Sequence, residues 1–161
     1  MTSSHKIKIN TGLSEAHRHQ VAEGLSRFLA DSYALYLKTH HFHWNVTGPH
    51  FKSLHELFEV QYTELFAAVD LIAERIRALG EFAPGSFKAF QALTSLKDTV
   101  GVPAWDAMIQ ELLEGQETVI RAARGLLALA QTASDEVTLS LLTDRMEAHE
   151  KSAWMLRSFL A

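Results

Sequence analysis

Apolar and small residues recur at helical spacing along four long stretches of the chain, while strand-like alternation is scarce, so the pattern predicts an all-α protein. The first stretch starts at about Ser14, a side chain suited to an N-cap. It continues through Val21, Leu25, Phe28, Ser32, Leu35, Thr39 and Phe42 and stops before Gly48-Pro49. The second carries Leu54, Phe58, Leu65, Val69, Ile72, Ile76 and Leu79 and ends at Gly80, with Ser53 and Glu56 spaced as a capping box for its start. The third begins near Pro103, a residue suited to a first helical position, and shows Trp105, Ile109, Leu112, Val119, Ala123, Leu126 and Ala130. The fourth follows a turn at residues 132–135 and shows Leu139, Leu142, Met146, His149, Ala153, Leu156 and Leu160.

Four such helices in one domain predict a four-helix bundle. The linker between the second and third, residues 81–102, is too long for an up-down hairpin and long enough to cross the bundle. Within it Ser86, followed by Phe87, Phe90 and Leu93, predicts a short extra helix. One long crossover of this kind is the ferritin-like topology. The expected organisation is a flexible tail over residues 1–13 and a single domain over residues 14–161.

Composition narrows the chemistry. A chain of 161 residues, 47% of them hydrophobic, fits one domain with a core of its own. The absence of cysteine excludes disulfides, thiolate metal sites and a thiol nucleophile, so any metal ligands are imidazole and carboxylate, a set suited to iron, manganese or zinc. A net charge of −4 argues against a surface built throughout for nucleic acid. The first twenty residues are only mildly basic, with Lys6, Lys8 and Arg18 against Glu15; His5, His17 and His19 gain charge at lower pH. Nothing resembles a leader or membrane span, and a cytoplasmic protein is expected, with the nucleoid as the alternative place should DNA be bound.

Two pairs of metal-capable side chains lie on the second helix, His55 with Glu59 and Asp70 with Glu74, each at i, i+4 and so on one helix face. From Glu59 to Asp70 is eleven residues, roughly 16 Å of rise, so one helix cannot bring all four side chains to one ion. A second copy lying antiparallel can. A two-fold axis near Glu64 and Leu65 sets each His/Glu pair opposite the Asp/Glu pair of the other chain, and an isologous contact repeats the site twice. His43, one turn before the Gly48-Pro49 break and on the apolar stripe, is a further candidate ligand; His40 and His41 flank it and are as readily solvated. His149, on the core stripe without a matching carboxylate, reads as a hydrogen-bonded structural histidine. Trp44, Trp105 and Trp154 read as core or interface aromatics. Asp135 and Glu136 offer a weak acidic candidate for cation entry against the plainer reading of a helix N-terminal acid pair.

The segments His43-Trp44-Asn45-Val46-Thr47-Gly48-Pro49, His55-Glu56-Leu57-Phe58-Glu59 and Asp70-Leu71-Ile72-Ala73-Glu74-Arg75 resemble the signature of the Dps-type miniferritins, the DNA-protection-during-starvation proteins. The likeness extends over nearly the whole chain, to Trp154-Met155-Leu156-Arg157. It implies a homo-oligomer, a hollow dodecamer built from two-fold dimers, with His43, His55 and Glu59 of one subunit and Asp70 and Glu74 of its partner forming a ferroxidase site. It further implies oxidation of Fe²⁺ by hydrogen peroxide and storage of the ferric mineral, which protects DNA. The alternative function is a nucleoid-condensing protein with iron handling secondary; weak DNA binding is expected here. One departure is Glu59, where the family often carries the shorter Asp.

Overall fold

The computed structural model describes residues 8–161; His5 and Lys6 of the basic tail lie outside the described residues. Five helices follow in order: α1 (Glu15–Asn45), α2 (Phe51–Ala78), α3 (Phe87–Leu93), α4 (Trp105–Thr132) and α5 (Glu136–Arg157). Among the described residues there is no strand. The four long helices form the bundle, α1 pairing mainly with α2 and α4 with α5, while α1 also packs on α4 and on the short α3 of the crossover. No helix among the described residues is long and apolar enough to cross a membrane.

The predicted stripes are the buried faces. Leu25, Phe28, Leu35 and Phe42 of α1 meet Leu54, Phe58, Ile72 and Ile76 of α2, with Ile109, Leu112 and Val119 of α4 and Leu142 and Leu156 of α5 completing the core. Side chains of this size contribute about 1.5–3 kcal/mol each when fully buried. Close helix approach is set by Gly115 of α4, where an added Cβ would lie 2.7 Å from Leu35 Cδ1. Leu160 lies past the end of α5 and is exposed, so the stripe stops with its helix at Leu156.

Helix starts divide into those with a side-chain cap and those without. Ser14 accepts from the His17 N–H, Ser86 from Ala89 and Asp135 from Thr138. The capping box expected at Ser53 and Glu56 does not form. The turn after Gly48 already begins α2 at Phe51, His50 holds the cap position, and Ser53 Oγ donates to the His50 carbonyl instead. Pro103 likewise precedes α4 by two residues, because Ala104 is extended (φ −64°, ψ 158°) and the helix starts at Trp105.

The crossover is tied to α1 by one buried carboxylate. Asp31 accepts the Thr94 hydroxyl at 2.8 Å, the Ser95 N–H at 2.6 Å and the Ser95 hydroxyl at 3.0 Å. At the other end of the bundle Ile9 rests against Gly80, and Arg18 donates to the Leu13 and Leu79 carbonyls. From the exposed Glu64 of α2 a polar chain runs inward through Arg145 and His149 of α5 to Gln116 of α4.

Candidate metal site

The turn between α1 and α2 sets the site. Gly48 takes φ +102°, a conformation that L side chains rarely adopt, and a Cβ there would lie 3.2 Å from Trp105 Cδ1. The reversal brings the last turns of α1 against the first of α2, so that His43 and His55 stack with ring centroids 3.8 Å apart and planes 19° from parallel.

Their hydrogen bonds are reciprocal. His43 Nδ1 lies 2.8 Å from the His55 carbonyl oxygen, and His55 Nδ1 lies 2.9 Å from the His43 carbonyl oxygen. A carbonyl only accepts, so both rings carry their proton on Nδ1, and in each neutral ring Nε2 keeps its lone pair. The His43 carbonyl lies in the last turn of α1, where helical carbonyls lack an intrahelical partner, and the His55 imidazole supplies one. The two ligand candidates thus fix each other's tautomer and orientation, the task usually given to a second layer of residues around a metal.

Glu59 is exposed one turn beyond His55, and Asp70 and Glu74 are exposed farther along α2. Among the described residues no three histidine or acidic side chains of one chain come together to hold a metal ion. The structure therefore brings His43 and His55 together and leaves Asp70 and Glu74 on the same helix but away from them. Between the two sets α2 exposes large apolar side chains, Val60 and Phe66 at 67% each, alongside Thr63 and Glu64.

Other histidines and acids sort clearly. His149 is buried; its Nδ1 donates to Gln116 Oε1 at 2.6 Å and Arg145 approaches its Nε2 at 3.3 Å, the structural role expected of it. Burial, reinforced by the Arg145 charge, lowers its pKa from 6.5 to about 3. Asp135 is buried and held by Arg75 at 2.7 Å and by Thr138, the arrangement of a helix N-terminal acid. Burial alone would raise its pKa, yet the bonds from Arg75 and Thr138 hold the carboxyl below the ordinary carboxylate value. Glu136 is exposed. Trp44 and Trp154 are exposed rather than core, and Trp105 is half-buried against the turn.

One group beside the site was not singled out by the sequence reading. Tyr36 places its hydroxyl 3.3 Å from His40 Nδ1, and the His40 ring stacks on Tyr62 at 4.0 Å and lies tilted by 39° against Trp44 at 4.1 Å. Tyr62 in turn lies edge-on to His43, 5.1 Å between centroids. Burial raises the pKa of Tyr36 and lowers that of His40, the latter with help from His43, so the pair is a neutral phenol and a neutral imidazole near pH 7. The signal was in the sequence: Tyr36, His40 and Trp44 stand at i, i+4 and i+8 on α1.

Residues 22–161 match the ferritin-like domain family. The chain is 43% identical to a low temperature-induced protein of Nostoc sp., over 95% of this chain and 87% of that one. It is 37% identical to DNA protection during starvation protein 2 of Bacillus anthracis, over 88% of this chain and 97% of that one. Its fold superposes on the crystal structure of the Dps protein of Vibrio cholerae, described as a member of a broad superfamily of ferritin-like diiron-carboxylate proteins, with a TM-score of 0.91 and 29% identity, covering 99% and 100% of the two chains. Together with the five-helix order and the paired histidines at the α1–α2 turn, these likenesses make the chain a member of the ferritin-like family, of the Dps miniferritin type.

Proposed function

We propose that the protein is a subunit of a ferroxidase and iron store: a dodecameric shell built from two-fold dimers, in which Fe²⁺ is oxidised by hydrogen peroxide at sites shared between subunits and kept as ferric mineral, sparing DNA from oxidative damage. The reading assigns His43, His55 and Glu59 of one subunit and Asp70 and Glu74 of its partner as ligands of the iron, which is substrate and cargo. The observation that carries it is the reciprocal bonding of His43 and His55, which ties up Nδ1 of both stacked rings and leaves each Nε2 with a lone pair to offer. Two imidazoles alone make a poor oxygen-rich site for Fe³⁺. Carboxylates are the hard donors that favour the ferric ion, and the acids able to supply them stand beyond the exposed side chains of Val60 and Phe66, which a second subunit would bury.

The chemistry follows from the donor set. Imidazole holds Fe²⁺ without adding charge, and carboxylates stabilise the extra positive charge as the electron leaves. Consuming Fe²⁺ and peroxide together removes both reactants of hydroxyl-radical production. The place of action proposed is the cytoplasm.

Complementation tests the shared site. His55→Ala/Glu59→Ala and Asp70→Ala/Glu74→Ala variants should each oxidise Fe²⁺ no faster than free solution. After subunit exchange the mixture should regain activity, since a mixed dimer carries one intact site and one doubly damaged site. A mixture as inactive as its parents, with exchange verified by mass spectrometry, rules the shared site out.

A further inference from the structure

We infer that the hollow between α1 and the crossover is a binding site for an aromatic carboxylate, held by its ring on apolar walls and by its charge at Lys38. The inference stands apart from the ferroxidase reading, because neither His43 nor His55 nor any acid assigned to iron lines this hollow. Its volume is about 650 Å³, within the range of cavities that take small organic ligands. Tyr33, Leu37 and Trp44 stand at i, i+4 and i+11 of α1 and so on one helix face, and Phe87 and Phe90 meet them from α3. Tyr33 and Phe90 stack with centroids 4.6 Å apart, which closes one wall. Leu37, Trp44 and Phe87 are exposed around the opening. The walls are fixed in advance, because Asp31 of α1 holds Thr94 and Ser95, the residues that lead out of α3.

The polar end is made by Lys38, Lys97 and Asp98. The Lys38 side chain is only 11% exposed, and its ammonium carries three N–H groups. Glu111 accepts one of them at 3.1 Å, and no second acceptor among the described residues takes the others. Glu111 also accepts the Thr99 hydroxyl and does not itself line the hollow. Asp98 is turned to its own backbone, accepting the Thr99 N–H at 2.8 Å. Two cations thus line the hollow against one anion that is already engaged. A shielded ammonium with N–H groups to spare bonds a carboxylate more strongly than a neutral head group. The four aromatic rings of the walls suit a flat apolar body.

The experiment is isothermal titration calorimetry of the assembled particle with biphenylcarboxylate and with biphenylcarboxamide, which share a shape and differ in charge, followed in parallel by tryptophan emission. The carboxylate should bind once per subunit, about tenfold more tightly than the amide, and should quench emission in wild type but not in Trp44→Phe. Lys38→Met, which keeps the length of the stem, should lower the carboxylate to the affinity of the amide, and Lys97→Met should weaken it severalfold. Ala34→Phe, which fills the hollow from α1, should abolish binding of both probes with helix content and particle size unchanged. Equal affinity for the two probes, or carboxylate binding undiminished in Ala34→Phe, overturns the inference. So does an assembled particle that binds neither probe while dissociated subunits bind both, since a second copy of the chain then covers the hollow.

Discussion

His43, His55 and His149 all donate Nδ1–H to an oxygen, a backbone carbonyl in the first two and the Gln116 amide in the third. They differ at Nε2. In His149 that nitrogen faces Arg145 inside the bundle, whereas in His43 and His55 no partner among the described residues claims it. Burial of a histidine is thus no guide to its role; what decides is whether the second nitrogen is satisfied. The interior histidine stabilises the packing of α4 on α5, and the turn histidines are left with bonding capacity that the fold does not use.

The comparison can be broken by exchanging effects. His149→Ala should destabilise the fold by about 2–4 kcal/mol, since it leaves a cavity and strips Gln116 and Arg145 of a buried partner. His55→Ala, at a half-buried position, should cost about 1 kcal/mol or less while abolishing ferroxidation. Denaturant melts beside initial rates of Fe²⁺ oxidation check both, and a stability loss of equal size in the two variants would erase the distinction.

Acid should act on the interior histidine. Its folded pKa, about 3, lies below the unfolded 6.5, so between these values the unfolded chain binds a proton that the folded chain does not. Stability from this group is full above pH 6.5 and falls as pH drops toward 3; at pH 5 the loss is about 2 kcal/mol relative to pH 7. Thermal melts across that window should flatten in His149→Gln, and an unaltered slope would remove His149 as the cause.

The contrast sharpens at Glu59, whose side chain reaches one methylene farther than an Asp would. Glu59→Gln keeps shape and removes charge, and should slow Fe²⁺ oxidation by about tenfold, with Glu59→Asp recovering most of the rate. Particle size by light scattering should stay constant. A full rate in Glu59→Gln leaves the site to His43, His55, Asp70 and Glu74. The smallest effect expected is on DNA: retardation in a gel should be weak at pH 8 and rise modestly toward pH 6 as tail histidines charge, and should fade with added salt. Strong retardation at pH 8 and moderate salt contradicts this.

Helical stripes were legible because burial imposes a period on the side chains, as Phe28, Leu35 and Phe42 illustrate on α1. Ser86 announced α3 for the same reason that it caps it. Ser53 and Glu56 misled, because a spacing of side chains cannot report that the backbone after Gly48 has already begun to coil. In the candidate site the histidines were legible as residues but not as a pair. Their mutual bonds run through backbone carbonyls, which every residue has and no pattern of side chains reveals. His40 was seen and left undecided, since its partner Tyr62 comes from another helix.

The crossed bonds between His43 and His55 span two helices rather than one. If α2 slid along α1 by a single turn, about 5.4 Å, both bonds would break together and the rings would part. On the proposed reading, affinity for iron would then work as a vernier on the hairpin: a subunit whose first two helices have docked one notch out of line has no paired imidazoles to offer, and metal uptake would distinguish the correctly aligned copies from the rest.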